Sequence, residues 1–297
     1  MNKSKVYYNG SKWVQSCGNS VEVLDKLKGN NYLVKFEDSP PFSAQPKEIK
    51  TGAIKNRNIF SVLGVGRIGY GEFPAKVGSK NTKAYDAWRG ILRRCYDPAF
   101  KCYPRYGGRG ITMEKGWLCF QSFAKWYYES FADKPTHLTS FDIDKDLRGG
   151  MSYSEHNCTL LPYKLNNFIQ VQDSMVGDMG YVKNYRNPYN RITTTISLLG
   201  KQIYIHAFLS QAEANEYYDI AKRYVSTLVA DKYLELGLIS DEVCTLIKTR
   251  YGSTTQEEVT KLLSVSASFK KRLHGVVDNE SNLLCRVKGK VNSEIYK

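Results

Sequence analysis

Residues 140–167 read S-F-D-I-D-K-D-L-R-G-G-M-S-Y-S-E-H-N-C-T-L-L-P-Y-K-L-N-N, and the rest of the chain can be ordered around them. An acidic strand ending in Asp144-Lys145-Asp146 runs into a Gly149-Gly150 turn. Tyr153-Ser154-Glu155-His156-Asn157-Cys158 follows, then a second apolar segment at Leu160-Leu161. A short helical segment carrying Asn166 and Asn167 closes the stretch. Strand, loop, strand and helix are therefore expected in that order.

That plan resembles the ββα-metal finger of HNH nucleases. It also resembles the phage HNH homing-endonuclease-like family, whose finger often reads L-D-x-D…Y-S-P-E-N-C…N. The match consists of Asp144, Tyr153-Ser154, Asn157-Cys158 and Asn166. The resemblance implies that Asp144 and Asn166 hold one divalent metal, Mg2+ or Mn2+, as hard oxygen ligands. It also implies that Asn157 braces the loop. Lys145 stands where the family carries its general-base His. Single-metal phosphodiester hydrolysis needs a cation for the departing oxygen and a base for the water. A lysine, with a reference pKa of about 10.4, is a poor base. Asp142, Asp144 and Asp146 favour its charged form further, so Lys145 suits a phosphate clamp better. His137 and His156 are alternative bases away from the matching position. Two readings stay open: a finger that still cleaves, and a degenerate finger kept as a DNA-shaped scaffold.

The chain has 297 residues and a net charge of +14, with 42% hydrophobic residues. That length accommodates two or more domains with real cores. No apolar run reaches a membrane span, and Met1-Asn2-Lys3-Ser4-Lys5 leads into no apolar signal core. The expectation is a protein that is not secreted. With the family resemblance, this means a virus-encoded protein in the host-cell cytoplasm. Seven cysteines form no regular framework, as expected of reduced thiols. Cys95, Cys102, Cys119 and Cys158 lack a C-x-x-C pair, which argues against zinc. The excess positive charge points to a polyanionic partner, nucleic acid first. Residues 76–115 hold ten lysines and arginines against Asp86, Asp97 and Glu114, and residues 181–205 hold Lys183, Arg186, Arg191 and Lys201 with no acid.

Upstream of the finger, residues 5–60 show short β-favouring runs at 6–8, 12–14, 21–24 and 32–36, broken by Asn9-Gly10 and Gly29-Asn30-Asn31. They suggest a small SH3-like barrel, either a docking module or a folding cap. The phage family opens with such a module ending in G-x-I-K-N and G-V-G-x-I-G-x-G, resembling residues 52–56 and 64–71 here. Gly64, Gly66 and Gly69 match G-x-G-x-x-G but lack the strand-turn-helix setting, so a loop and no nucleotide cofactor are expected. Residues 83–95 have helical spacing, with Arg89, Arg93 and Arg94 around the other side. The run from Trp88 to Tyr96, then Tyr106-Gly107-Gly108-Arg109-Gly110-Ile111, then Trp117, Phe120, Phe123 and Trp126, is the most specific part of the resemblance. Its glycines, with Arg105 and Arg109, suit a phosphate contact; the alternative is a turn supporting the finger. The aromatic residues share one helix face and are expected in the core.

Downstream, residues 181–206 alternate like strands. Ile192, Thr194, Ile196 and Leu198 point one way and Arg191, Thr193, Thr195 and Ser197 the other. Ser210-Gln211-Ala212-Glu213 is a capping box opening a helix. Three strands on one helix resemble an AP2-like DNA-binding domain, which implies contacts from Lys183, Arg186, Arg191, Thr193 and Thr195. Residues 255–266 and 267–273 look like the start of a helix-turn-helix, with Lys270, Lys271 and Arg272 outward; an accessory helical hairpin is the alternative.

The expected class is α+β. The expected segments are a barrel and linker (1–75), an HNH-like ββα domain (76–175), an AP2-like domain (176–251) and a helical tail (252–297). The expected function is a phage DNA-binding protein that nicks or cleaves DNA with a metal. The competing reading is a cleavage-dead regulator or anti-defence factor that binds nucleic acid, RNA and ribosome included, or a nucleic-acid machine.

Overall fold

The computed structural model describes residues 7–170 and 187–295. In chain order the elements are β1 (Lys12–Val14), β2 (Ser20–Lys26), β3 (Tyr32–Lys35), β4 (Phe42–Ala44), α1 (Pro46–Thr51), β5 (Lys76–Val77), β6 (Lys80–Asn81), α2 (Lys83–Tyr96), β7 (Thr112–Met113) and α3 (Phe120–Phe131). Next come β8 (Phe141–Asp144), β9 (Ser152–Tyr153), β10 (Thr159–Pro162), α4 (Tyr163–Ile169), β11 (Ile192–Leu198) and β12 (Lys201–Phe208). Helices α5 (Gln211–Glu235), α6 (Asp241–Tyr251), α7 (Gln256–Val265) and α8 (Phe269–Ile295) complete the order. The class is mixed α+β with small sheets. The chain divides into two units, Met1–Glu129 with Ser152–Ser154, and Ser130–Met151 with Glu155–Lys297.

The first unit opens on an antiparallel sheet in the order β1-β2-β3-β4. Val21, Val23 and Val34 turn inward at the two-residue period of a strand and are buried. In place of the small SH3-like barrel expected from the sequence there is an open sheet, with β1 and β4 as its two edges. The physical reason lies after β4. There Pro46 and a Gln45–Glu48 capping box start α1 instead of a fifth strand. Gln15 fills the gap as a side-chain bridge. Its Nε2 donates to Trp13 O at 3.0 Å and its Oε1 accepts from the Ile54 N–H at 3.2 Å.

Further along, residues 64–71 are a loop crossed by two short bridges, as expected. Arg67 ties it down, donating its N–H to Leu118 O and accepting from the Phe120 N–H, both at 2.9 Å. Thr82 caps α2 by accepting the Tyr85 N–H. Ala84, Trp88, Ile91, Leu92 and Cys95 form its buried stripe. Trp88 Nε1 donates to Trp117 O at 2.7 Å. Trp117, Phe120, Phe123 and Trp126 are buried, with the Trp117 and Trp126 ring centroids 4.6 Å apart. These aromatic side chains are core. Trp117 itself lies in a short 3-10 turn before α3.

In the second unit β8 pairs antiparallel with β10, Asp144 opposite Thr159 and Phe141 opposite Pro162. Helix α4 leaves β10 directly. Strands β11 and β12 form a two-stranded hairpin with a bulge at Thr194/Thr195. The expected alternation holds: Ile192, Thr194, Ile196 and Leu198 are buried, and their neighbours are half-buried or exposed. The third strand of the AP2-like arrangement would fall in a stretch outside the described residues. Ser210 and Glu213 form the expected capping box of α5.

One apolar core runs through this unit. It joins Leu161, Leu165 and Phe168 of the finger to Ile192, Ile196, Ile203 and Ile205 of the hairpin, to Ala221 and Val225 of α5, and to Leu262, Phe269, Leu273, Val277 and Leu284 of α7 and α8. Ion pairs pin the helices. Arg223 forks onto Glu258 at 2.7 and 3.0 Å and reaches Asp219 at 2.9 Å. The Arg223 hydrogen bonds hold the Glu258 carboxyl down at about 2. Lys164 of α4 pairs with Glu280 of α8 at 2.7 Å. Residues 255–273 do form two helices, with Phe269 and Leu273 inward.

Because Phe269 is fully buried in that shared core, Phe269→Ala is expected to destabilise the second unit by about 3–5 kcal/mol. Urea unfolding followed by tryptophan-independent far-UV signal and by proteolysis of the finger checks this. An unchanged midpoint would show that α8 is not part of the core.

Candidate functional site

The finger elements place the expected metal ligands on facing surfaces. Asp144 ends β8 and is 5% exposed. Its Oδ1 accepts the Leu147 N–H at 2.7 Å, so the carboxylate also caps the following turn. Burial pushes this carboxyl up, against the Leu147 N–H; the Asp146 charge adds to the rise and the Arg250 charge opposes it. Asn166 faces the strand from α4 and is 3% exposed. Its Nδ2 donates to Asp142 Oδ2 at 3.0 Å, which leaves its Oδ1 buried without a hydrogen-bond partner. Asp142 and Asp144 are two residues apart on one strand and share a face.

This donor set fits a hard divalent cation: a carboxylate, and an amide whose oxygen has been left without a proton donor. Among the described residues no group of three or more His, Cys, Asp or Glu side chains gathers in a ligating arrangement. A set of one carboxylate and one amide is of a different kind.

Asn157 lies where it can brace the loop. A Cβ added at Gly150 would stand 2.4 Å from its amide, so the Gly150 backbone is packed directly against it. Lys145 is 3% exposed, with its ammonium on the Asp146 carboxylate. Clamping a phosphate would require that pair to open. His137 and His156 are both exposed.

Three residues here were not singled out from the sequence as site residues. Asp142 orients the Asn166 amide; its two-residue spacing from Asp144 was the available signal. Arg250, at the end of α6, donates from Nη1 to Asp146 O at 2.9 Å. Lys222 of α5 donates to Phe168 O and lies 3.6 Å from the centroid of the Phe168 ring. Burial, then the Arg250 charge, push the Lys222 amine down to about 7. Arg250 and Lys222 are too far along the chain for any local pattern to announce them.

The expected nucleic-acid contacts differ in how far they are exposed. Arg93 pairs with Asp97 at 3.3 Å and covers the Phe100 ring at 4.3 Å. The Arg94 guanidinium lies 5.5 and 5.6 Å from the Tyr106 and Tyr153 rings, with its Nε buried. Both arginines serve the fold of the first unit. Arg89, Arg105 and Arg109 are exposed. The glycine turn has an internal use as well: a Cβ at Gly107 would stand 2.1 Å from Cys95 O.

In the second unit Arg191 is exposed, with Nη1 3.4 Å from Ala207 O, and Thr193 and Thr195 are half-buried on the outer face. Lys270 and Lys271 are exposed. Arg272 donates to Tyr204 O at 2.8 Å, and Tyr204 is the cross-strand partner of Thr195. Arg272 of the tail thus reaches the hairpin beside Thr195. Lys183 and Arg186 lie outside the described residues. No helix among the described residues is long and apolar enough to cross a membrane.

No protein-family model, curated protein or solved structure matches this chain.

Lys222 gives a pH prediction. Its folded value of about 7 lies below the ordinary lysine value of about 10.4, so above pH 7 the unfolded chain binds the extra proton. Stability therefore rises with pH through and above that value. The expected result is a melting temperature that climbs from pH 6.5 to 8.5 in the native chain and climbs less in Lys222→Met. Staying below about pH 9 avoids the Cys244 thiol, which burial raises and which acts in the opposite direction. Parallel pH profiles would refute the assignment.

Proposed function

We propose that this chain is a DNA-binding protein of the HNH endonuclease-like kind, hydrolysing phosphodiester bonds with Mg2+ or Mn2+ at Asp144 and Asn166. The single observation that carries the reading is the buried Asn166 Oδ1, left without a donor beside a strand face that presents Asp144. A bound divalent cation would supply Lewis acidity for the departing oxygen and lower the pKa of the attacking water. The chain's own residues do the positioning. Asp142 takes the Asn166 N–H and so fixes which end of that amide is left for a ligand. The Leu147 N–H orients the Asp144 carboxylate. Asn157 braces the loop against Gly150.

Arg89, Arg105 and Arg109 on the first unit, and Arg191, Thr193, Thr195, Lys270 and Lys271 on the second, are proposed to hold the DNA backbone and grooves. Strands β11 and β12 with α5 are read as AP2-like, and α7 with the start of α8 as a helix-turn-helix-like pair. The setting is proposed to be the host-cell cytoplasm of a virus-encoded protein.

One observation favours a second reading. Lys145, where the family has its base, is buried in an ion pair with Asp146. A finger without a base would serve as a non-cleaving binder of DNA, RNA or a nucleic-acid machine.

Nicking of supercoiled plasmid in Mg2+ or Mn2+, beside an EDTA control, tests the choice. The informative variant is Asp144→Asn, because an amide oxygen still accepts the Leu147 N–H while the charge is lost. Metal-dependent nicking should fall at least ~100-fold with DNA affinity kept. Equal nicking by the variant would remove Asp144 from the metal site. Tight binding with no nicking in any metal would favour the non-cleaving reading.

A further inference from the structure

Helix α6 touches the finger loop twice. At its first turn Glu242 pairs with Arg148 at 2.8 Å. At its last residues Arg250 donates from Nη1 to the Asp146 carbonyl at 2.9 Å, across 104 residues of sequence. A rigid helix held at both ends fixes the position of Arg250 much better than a loop would. The carbonyl it meets is two residues from Asp144.

The guanidinium is under-used where it stands. Arg250 is exposed, and among the described residues it has that one hydrogen bond and no carboxylate partner. Arg148 and Arg223, by contrast, end on Glu242 and Glu258. A guanidinium carries five N–H donors in a planar fork, so four of the five remain for a ligand. Lys222, the other cation near Arg250, is occupied with Phe168 O, and Lys145 with Asp146.

We infer that Arg250 holds the phosphate undergoing cleavage beside Asp144, so that the helical part of the second unit supplies the fixed positive charge that Lys145 does not present. The inference rests on the nuclease reading. In the hydrolysis a P–O bond to water forms and the P–O bond to the sugar breaks. One water proton leaves to solvent, and the released sugar oxygen takes one up. Between those events the phosphate gains negative charge, which forked N–H donors stabilise more than a point charge does.

Two readouts on Arg250→Ala and Arg250→Lys test this. The first is DNA binding as a function of salt, in Ca2+ as a cation chosen to support binding without turnover. Losing one phosphate contact should lower the slope of log K against log salt by about 0.9 in the alanine variant. Lysine should keep the slope. The second is plasmid nicking at saturating DNA, expected to fall about 100-fold in the alanine variant and to recover only in part with lysine. Melting temperatures identify any variant that fails to fold, and the lysine variant, which keeps a donor for Asp146, guards against that failure.

A native chain that nicks while Arg250→Ala nicks equally well, or keeps the full salt slope, overturns the inference and leaves the nuclease reading standing. Full nicking in Arg250→Lys reduces the residue to a brace for the loop and overturns the forked contact. A native chain that never nicks, with a slope that still falls by one contact, removes the catalytic use and the nuclease reading together. An unchanged slope in that case removes the phosphate contact too.

Discussion

Burial of the finger's apolar side is the constraint on which the second unit depends. By itself the finger is a two-stranded sheet and a seven-residue helix. A lone hairpin is marginal in water, and a helix so short does not persist alone. Leu161, Leu165, Phe168 and Ile169 therefore have to find apolar partners elsewhere. They find them in β11, β12, α5, α7 and α8, within one continuous core. The geometry around Asp144 and Asn166 is consequently set by segments far away in sequence. The Lys164–Glu280 and Arg223–Glu258 pairs fix how those segments meet.

The same packing shapes the electrostatics. Asp144 sits in a nearly dry place, where its ionised form is disfavoured, and a backbone N–H and a remote guanidinium offset part of that cost. Nor is the net charge of +14 a uniform surface property. Arg93, Arg94, Arg223 and Arg272 are tied to acids, rings or carbonyls. Fewer cations face outward than the composition suggests; those of the second unit include Arg191, Arg250, Lys270 and Lys271. A charge count overstates a binding surface when arginines double as structural cement.

Patterns confined to a few turns of chain were legible in the sequence. The stripe of α2, the aromatic core of 117–126, the alternation of β11 and the capping box at Ser210 all follow from side-chain period and local hydrogen bonding. The strand-loop-strand-helix order of 140–167 was legible for the same reason. Closure of the N-terminal sheet was not, because strand propensity is silent on whether a fifth strand will follow β4. Gln15, a polar residue in a β-rich run, gave no sign that its side chain would bridge to Ile54. At the candidate site, Asp144, Asn157 and Asn166 came from the family resemblance. Arg250 and Lys222 did not, because their relation to the finger exists only once α5 and α6 have packed. Gly107 shows the opposite error: a glycine read for its openness to a phosphate is also required by a neighbouring carbonyl.

The pairing of Lys164 with Glu280, 116 residues apart, has a consequence for synthesis. A ribosome delivers the finger long before it delivers the helix that completes the finger's core. At roughly 10 residues per second the interval is on the order of ten seconds. During it Leu165 and Phe168 lack part of their packing, and the loop after Asp144 lacks Arg250 for much of that time. The nascent finger must wait for its scaffold, exposed to chaperones and proteases. Any chemistry it performs has to await the helices that pack against the finger, not just the emergence of the motif.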